Sequence, residues 1–275
     1  PSMADPTPLT DRDALMRHRA RAARDPALFL HEAARDEAQD RLSMVNRTFT
    51  TPAIVTPFAQ VWYGAFESAR IVEDDPVLKL DEGAHDLVIH AMALHWADDP
   101  VGQLIQCRRA LRPDGLLLVL GLGGQTLQEL RAALGQAEIE VTGGLSPRIA
   151  PMGEIRDLGA LLQRAGLALP VADSWALRAE YDNALHLMRD LRAMGETNAL
   201  HARLRRPTRR TVLMRAAELY AENYATESGR VPATFEIITL TGWAPDASQP
   251  QPLRPGSASA RLADALGTRE KPLGD

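Results

Sequence analysis

The sequence contains a single cysteine, Cys107, among 275 residues. One cysteine cannot form an internal disulfide or supply a zinc site built from several cysteines. Because Cys107 lies inside a predicted helix, we expect a buried structural thiol rather than a redox centre. Long apolar runs are also missing: no stretch approaches the roughly twenty residues of a transmembrane helix, and no secretory signal is recognisable. We therefore expect a cytoplasmic protein without membrane insertion.

An excess of positive charge is missing as well. The formal net charge is -5 at pH 7 and the pI is near 5.8. Because nucleic acids are also negatively charged, we do not expect non-specific nucleic-acid binding. Arginine is nevertheless concentrated in residues 12–24 and 201–210. The first stretch is either a solvated helix face or a lid that meets an acidic substrate or partner. The second has no interleaved aromatic residues, so we interpret it as a solvated loop, with docking of an acidic partner or RNA as the alternative.

Residues 85–124 predict a strand, a helix and a second strand. Two short apolar runs, 86–91 and 116–120, are typical of strands buried on both faces of a parallel sheet. Between them, apolar residues recur at helical spacing after Asp99 and Pro100, which suit a helix start. The crossover of such a unit is right-handed, and ligands bind beyond the carboxyl ends of its strands. An active site is therefore expected around residues 91–96 and 121–126.

His95 lies at the first of these strand ends and can act as a general base near neutral pH. A packed or capping histidine is the alternative. An iron site would need two histidines and a carboxylate, for which His90, His95 and Asp98 are the local residues. Residues at odd offsets on a strand face opposite sides, so we predict no metal site.

The motifs of this unit, taken in order, resemble a known family. The series DLV, LHW, DDP, RRALRPDG and GGQTLQELR is similar to the later half of class I S-adenosylmethionine (SAM) methyltransferases. It resembles in particular the branch that contains the mitochondrial complex I assembly factor described as a protein arginine hydroxylase, with its bacterial relatives. Similar segments continue at residues 143–148, 157–159, 191–195, 232–235 and 241–243.

This resemblance implies an α/β protein with a Rossmann-like sheet that is mostly parallel and has an antiparallel last strand. It implies SAM as the cofactor and a protein client, such as a complex I subunit. At the two strand ends it implies a cofactor site formed by Ala91, Met92, Leu94 and Trp96, and a substrate pocket formed by Gly123, Gly124 and Gln125.

A glycine-rich turn is missing where a SAM site needs one. The candidate first strand, 51–56, is followed by Pro57 and Phe58, and no G-x-G occurs there. A flexible turn without side chains lets the backbone approach the cofactor. The bulk of Pro57 and Phe58 should instead fill the space of the methionine moiety. Trp62 follows shortly after and is assigned to the substrate pocket.

The first half of the domain is also too short. Two strand–helix units need on the order of fifty to sixty residues, and only about thirty separate Pro52 from His85. At least one strand or helix has been lost, most simply the second strand with its acidic end. Glu73, Asp74 and Asp75 can substitute for that acidic end and bind the cofactor, and a solvated turn is the alternative.

The second half of the chain supplies more helices. We predict helices over 126–140, 155–165, 183–195 and 211–224, and a last strand over 233–242. Arg148, in the turn-rich loop 141–151, either points into the substrate pocket or forms a structural salt bridge. The predicted organisation is an N-terminal helical segment (1–48), a methyltransferase-like domain (49–245) with a helical insert (183–230), and a Pro/Ser-rich arm (246–275).

Three functions remain open. The first is a methyltransferase-superfamily protein with a degenerate SAM site that binds or acts on a protein client, as in respiratory complex assembly. The second is a SAM-dependent methyltransferase with a rebuilt pocket. The third is an enzyme resembling the protein arginine hydroxylase that uses the same crevice. The missing glycine turn favours the first.

Overall fold

The structure, a computed structural model, describes residues 7–250. A six-stranded sheet with the order β2-β1-β3-β4-β6-β5 forms its centre. Only β6 runs antiparallel to its neighbours β4 and β5, as the sequence predicted. The strands are β1 Pro52–Val55, β2 Arg70–Val72, β3 His85–Ala91, β4 Leu111–Leu122, β5 Ala168–Tyr181 and β6 Val231–Trp243.

Helices cover both faces of the sheet. The core on one face joins residues of α2, α4, α6 and α7 to β3, β4 and β6, and the core on the other joins α3 and α5 to the same strands. Cys107 of α3 is buried, and this burial raises the pKa of its thiol to about 12. The helices are α1 Arg12–Ala22, α2 Phe29–Met44, α3 Pro100–Ala110, α4 Gln128–Thr142, α5 Ile155–Arg164, α6 Ala184–Ala193 and α7 Arg210–Tyr224.

The two central strands are buried on both faces, as their continuous apolar runs predicted. Leu87 and Ile89 of β3 join one core, and Val88 joins the other. Successive side chains of a strand point to opposite faces, so a strand covered by helices on both sides must be apolar throughout. This arrangement places the carboxyl ends of β3 and β4 together at one edge of the core.

The shortened first half differs from the sequence prediction in one respect. The second strand is present as β2, which pairs in parallel with β1 at the edge of the sheet. The two connecting helices are missing instead. The β1–β2 connection contains only a short 3₁₀ turn, Ala59–Val61. Between β2 and β3, the described residues form no helix. A crossover of about a dozen residues can join two parallel strands without a full helix.

The remaining elements have well-defined ends. Asp11 caps α1, because its side chain accepts a hydrogen bond from the Ala14 amide at 3.0 Å. Residues 168–181 form one continuous strand. Within residues 7–250, no helix has both the length and the apolar character that spanning a membrane requires. The compact unit ends at Pro245, and the partition of the chain proposed from the sequence stays a prediction.

Helix α3 provides a stability test. The Asp99 side chain caps the helix by accepting a hydrogen bond from the Gly102 amide at 2.8 Å, and Pro100 is the first helical residue. Replacing Asp99 by alanine leaves that amide without its acceptor, so we expect a loss of about 0.5–2 kcal/mol in the free energy of unfolding. Urea unfolding measures this loss. Asp99→Asn, which keeps an acceptor oxygen, should cost much less, and equal losses would contradict the capping role.

Candidate functional site

The acidic run predicted to substitute for the cofactor-binding acid directly follows β2. Glu73, Asp74 and Asp75 therefore stand at the carboxyl end of the second strand. Helix α1 lies across this end of the sheet, and Arg12, Arg19, Pro57 and Phe58 line the same cavity as the three acidic residues. We call this the crevice cavity. Its volume is about 210 Å³, which is below the usual range for small-molecule pockets, roughly 300–1,000 Å³.

The Asp74 carboxylate forms ion pairs with two arginines of helix α1. Its carboxylate binds Arg19 at 2.6 Å and Arg12 at 3.4 Å, and the side chains of Asp74 and Arg19 are only 5% and 7% exposed. Burial alone would raise the pKa of Asp74, but the charge and hydrogen bond of Arg19, with the charge of Arg12, hold this pKa below its usual value. The carboxylate is thus ionised and already neutralised.

The two neighbouring acids are less enclosed. Glu73 is exposed. Asp75 is half-buried, with Lys79 at 3.2 Å and Arg12 at 3.7 Å. Exposed ion pairs of this kind contribute about 0–1 kcal/mol to stability. Glu73 and Asp75 are therefore the carboxylates of this strand end that remain available to a ligand.

Bulky side chains occupy the turn after β1. Phe58 is 3% exposed and packs edge-on against His31, with ring centroids 4.9 Å apart. Burial lowers the pKa of His31 to about 4, so this ring is neutral at pH 7. Trp62, which the sequence placed in the substrate pocket, is fully buried in the core beside Phe66, at a centroid distance of 6.3 Å. The turn is therefore filled by packed aromatic rings.

The end of β3 is buried, and its residues separate into those packed in the core and those that line cavities. Ala91 and Met92, predicted cofactor residues, are buried in the core. Met92 has a left-handed backbone with φ of 57°, and its amide donates a hydrogen bond to the Leu120 carbonyl at 2.7 Å. A 3₁₀ turn, Leu94–Trp96, follows and brings its side chains to the walls of different cavities.

These cavities lie on either side of the turn. Leu94 and His95 line an aliphatic cavity of about 240 Å³, together with Leu158 and Leu240. Trp96 lines a second one of about 220 Å³, which we call the apolar cavity. Trp96 also lines a small polar cavity of about 110 Å³ that it shares with Arg12 and Asp74. The Trp96 ring therefore stands between the region of the crevice and the apolar cavity.

A buried carboxylate fixes the orientation of the turn. Oε2 of Glu196, a residue just after α6, accepts hydrogen bonds from His95 Nε2 at 3.0 Å and Trp96 Nε1 at 2.8 Å. Burial alone would raise the pKa of Glu196, but the charge and hydrogen bond of His95, the charge of Arg19 and the indole donor keep this pKa below its usual value.

This contact also assigns the proton of His95. Because an ionised carboxylate can only accept, Nε2 of His95 carries a proton and donates it to Glu196 in this contact. Nδ1 is buried and has no hydrogen-bond partner in the described chain. A histidine oriented by a carboxylate through one ring nitrogen has the arrangement of a general base. The role predicted for His95 is chemically available, and no further contact of the described residues assigns it.

The apolar cavity lies at the carboxyl end of β4, between helices of the second half of the chain. Its floor is Trp96, Glu196 and Leu122, and Arg148 lies on its wall. Its apolar walls are formed by Leu130, Leu134, Met188, Leu191, Leu213 and Phe235. A mainly apolar cleft with a few polar groups has the lining of a ligand site, although its volume of about 220 Å³ is as small as that of the crevice cavity.

Arg148 forms the salt bridge that was one of the two alternatives, and its role in a substrate pocket stays a prediction. It lines the apolar cavity, and its guanidinium also forms a two-point contact with Glu138, at 3.0 and 2.7 Å. A third hydrogen bond reaches the Thr208 hydroxyl at 2.9 Å. The positive charge of Arg148 is therefore already balanced.

The glycine cluster after β4 faces other parts of the protein. A Cβ atom on Gly123 would lie 2.4 Å from a Glu236 carboxylate oxygen, and one on Gly124 would lie 2.4 Å from an oxygen of Glu154. The backbone amide of Gln125 donates a hydrogen bond to the Glu236 carboxylate at 2.9 Å. The two glycines therefore lie against the side-chain ends of Glu236 and Glu154, and it is the following residues, Thr126 and Leu127, that line the apolar cavity.

The sequence also raised the questions of a metal site near His95 and of the role of the arginine-rich stretch 201–210. No group of three histidine, cysteine or carboxylate side chains suited to a metal ion occurs within residues 7–250. Asp98 instead accepts a hydrogen bond from the Thr10 amide at 2.9 Å, which anchors the start of α1. In the arginine-rich stretch 201–210, Arg203 and Arg205 bind Asp11 at 2.9 and 2.6 Å.

A family model of the methyltransferase domain matches residues 57–119. Over 194 residues the chain is 39% identical to the protein named arginine-hydroxylase NDUFAF5, mitochondrial, from Danio rerio, a match that covers 70% of this chain and 60% of that protein. The chain is a methyltransferase-like protein related to the NDUFAF5 proteins.

Other members of the superfamily match more distantly. The malonyl-[acyl-carrier protein] O-methyltransferase of Methylovorus sp. (strain MP688) is 32% identical over 206 residues, which cover 75% of this chain and 66% of that protein. The crystal structure of the YcgJ protein from Bacillus subtilis aligns with a TM-score of 0.50 at 11% identity, over 78% of this chain and 99% of that one, and shows the fold alone. The chain spans about 60% of the length of its NDUFAF5 relative from Danio rerio.

Sequence reasoning missed Glu196, the residue that holds the turn after β3. A signal was present, because Glu196 directly follows the segment 191–195 that carries part of the family resemblance. Gly195 has φ of 78°, and a Cβ atom there would lie 3.2 Å from the Arg19 side chain. This glycine lets the chain turn closely under α1 and directs Glu196 toward His95.

The ion pair of Asp74 and Arg19 leads to a stability prediction. Asp74→Ala leaves a buried guanidinium without its partner, so we expect a loss of about 3–5 kcal/mol in the free energy of unfolding at pH 7. Asp75→Ala is the matched control, because it removes a half-buried carboxylate of the same strand end and should cost about 1 kcal/mol or less. Chemical unfolding of both variants measures the difference.

The same pair predicts a pH dependence. The folded-state pKa of Asp74 is lowered, so its stabilisation is fully present above the unfolded-state pKa of about 3.9 and is lost as the pH falls through the folded value. The stability difference between the natural chain and Asp74→Ala should therefore narrow below about pH 4. A difference that stays constant down to the acid limit would show that Asp74 acts by packing rather than by charge.

Proposed function

We propose that this protein is a methyltransferase-superfamily member that no longer binds SAM in the ordinary way and that binds, or acts on, a side chain of a client protein. The occupation of Asp74 by Arg19 and Arg12 carries this proposal. Asp74 is the buried acid at the end of the second strand, and its hydrogen-bonding capacity is spent on the protein itself.

The crevice does not fit SAM as the fold usually holds it. Ordinary binding requires a turn without side chains after β1 and a free carboxylate at the end of β2 for the ribose hydroxyls. Here Phe58 is packed into that turn against His31, and α1 brings two arginines to the carboxylate. The remaining crevice cavity of about 210 Å³ is small for a ligand that carries a nucleoside and an amino acid.

Three observations support a protein client. The apolar cavity lies beside the crevice, at the strand edge where this class of sheet places its ligands. One relative is named an arginine hydroxylase, and another acts on a malonyl group carried by a protein. The resemblance to the complex I assembly factor extends the proposal to a subunit of a respiratory complex as the client.

A hydroxylase-like enzyme is the second candidate function. It is favoured by the 39% identity to the arginine hydroxylase of Danio rerio and by the hydrogen bond between His95 and Glu196, of which Glu196 lines the apolar cavity and His95 lines the neighbouring aliphatic cavity. Here His95 would hold or accept a proton at Nδ1, and Glu196 would position the ring. A methyltransferase with a rebuilt pocket is the third, and it would use the available carboxylates of Glu73 and Asp75 for the ribose.

Calorimetric titration with S-adenosylhomocysteine, on protein freed of any co-purified nucleotide, tests the proposal. We expect no saturable heat, because the crevice offers neither the space nor the free buried carboxylate. The variant Glu73→Gln is a better control than a change of Asp74, because Glu73 is exposed and carries no structural ion pair in the described chain. Micromolar binding that disappears in Glu73→Gln would support the rebuilt methyltransferase pocket instead.

A further inference from the structure

A basic surface extends along one side of helix α1. Arg17 and Arg21 are one helical turn apart, and Arg24 follows in the closing turn, where its amide donates a hydrogen bond to the Arg21 carbonyl at 3.3 Å. The Thr197 hydroxyl accepts a hydrogen bond from the Arg21 guanidinium at 3.1 Å, and the Thr197 carbonyl accepts one from His18 Nδ1 at 3.0 Å. The chain that follows α6 therefore packs along this side of the helix.

That part of the chain brings more arginines to α1. Arg203 and Arg205 both bind Asp11, the cap of the helix, at 2.9 and 2.6 Å. One carboxylate serves two guanidinium groups, so one positive charge is left in excess. Arg192, in the last turn of α6, is exposed, and burial together with the charge of Arg192 lowers the pKa of Arg21. We define the basic surface by the six arginines that these contacts bring together: Arg17, Arg21, Arg24, Arg192, Arg203 and Arg205.

Acidic side chains are missing from the two segments that form most of the basic surface. Residues 14–24 and 197–210 contain no aspartate or glutamate. Asp13 and Asp25, which flank the first segment, form no ion pair within residues 7–250. The arginines of the basic surface that have no ion pair in the described part of the chain are Arg17, Arg21, Arg24 and Arg192. Their positive charge is therefore left for a partner to neutralise.

His18 shows the effect of this charge. Burial lowers the pKa of His18, the hydrogen bond to Thr197 raises it, and the charges of Arg21, Arg203 and Arg17 lower it further. Positive charges within a Debye length, about 10 Å at 0.1 M salt, repel one another. An anionic partner removes this repulsion, and its carboxylates can accept two parallel hydrogen bonds from each planar guanidinium.

Among the anionic partners, an acidic protein surface matches the basic surface best. Single-stranded nucleic acid is held by aromatic side chains that stack on its bases, and residues 12–25 and 197–210 contain no phenylalanine, tyrosine or tryptophan. A helix that binds an anionic membrane inserts an apolar face, whereas Leu15 of α1 is buried and Met16 lines the crevice cavity. Leu204, between two of the arginines, is 44% exposed and offers a protein partner an apolar contact.

We propose that the basic surface is the docking site for an acidic surface of a protein partner, whose carboxylates pair with the free arginines of α1 and α6. Thr197 connects this surface to the apolar cavity, because it lines that cavity and also accepts the hydrogen bond of Arg21. A protein docked here lies at the edge of the cavity. The proposal rests on the proposed function in one respect, since the docked protein is the client, and it does not depend on whether the crevice binds SAM.

Fluorescence anisotropy of the full chain with a fluorescein-labelled octaglutamate peptide tests the docking site. We expect saturable binding at about 50 mM salt and at least about tenfold weaker binding at about 300 mM salt, because exposed ion pairs are screened. A labelled peptide of alternating glycine and serine is the neutral control and should not bind. An absence of octaglutamate binding, or equal binding of the neutral peptide, would overturn the proposal.

Two triple variants then locate the binding. The first combines Arg17→Gln, Arg24→Gln and Arg192→Gln, which remove exposed charges that form no ion pair in the described chain. Three exposed ion pairs of about 0.5 kcal/mol each correspond to about tenfold weaker octaglutamate binding. The matched control makes the same change in net charge at exposed arginines of α5 and β5, and it combines Arg156→Gln, Arg164→Gln and Arg178→Gln.

The control triple should bind octaglutamate within about twofold of the natural chain, because charges beyond a Debye length are screened. Equal losses in the two triples would show that only the net charge matters and would overturn the docking site. The comparison of charged and neutral peptides on the natural chain remains valid even if a variant does not fold.

Two further probes represent the other anionic partners. Labelled octauridylate carries a similar number of charges on a nucleic acid, and vesicles of phosphatidylcholine and phosphatidylglycerol present an anionic membrane. We expect both to bind more weakly than octaglutamate at the same salt concentration. Tighter binding of octauridylate, or vesicle binding that the first triple abolishes, would replace the protein partner by RNA or by a membrane and would overturn the proposal.

The result is distinguishable from the outcome for the proposed function. S-adenosylhomocysteine binding together with octaglutamate binding at the basic surface would refute the degenerate crevice and keep the docking site. An absence of nucleotide binding together with no octaglutamate binding would do the reverse.

Discussion

The proposed loss of ordinary SAM binding depends on the contact between Arg19 of α1 and Asp74 at the end of β2. This ion pair is buried and short. It joins the N-terminal helix α1 to the carboxyl end of β2, where this fold usually holds a nucleotide. Removing one member of a buried ion pair strongly destabilises the folded protein, because the other charge stays buried without a partner. The intact pair itself adds little stability compared with apolar side chains of similar volume. The helix is therefore held over the crevice for as long as both charges remain.

A second carboxylate organises the neighbouring cavity. Glu196 follows α6 and reaches across to the turn after β3, where it orients both His95 and Trp96. Hydrogen bonds to an ionised acceptor are stronger than those between neutral groups, so this residue fixes the turn in one arrangement. Asp74 and Glu196 lie on the two sides of the Trp96 ring. The first lines the crevice cavity, and the second lines the apolar cavity.

The sequence predicted the centre of the fold well, because strands buried on both faces and a capped crossover helix have strong local signals. It predicted the missing glycine turn, since Pro57 and Phe58 are visible in the sequence. It failed where structure depends on contacts between distant residues. The three-residue strand β2 has no periodicity to detect, and pairing with β1 is what makes it a strand. The occupation of Asp74 depends on a residue 55 positions earlier in the chain, and the hold of Glu196 on His95 spans 101 positions. Contacts between residues so far apart in the chain produce no local pattern that a single sequence could reveal.

The most direct measurement of the central claim is a crystal structure determined after soaking with excess S-adenosylhomocysteine. The account predicts that Arg19 remains on Asp74, that Phe58 remains packed against His31, and that the crevice shows no nucleotide density. Density for an adenosine at the end of β2, with its ribose on Glu73 or Asp75 and α1 displaced from Asp74, would contradict it and restore a methyltransferase site.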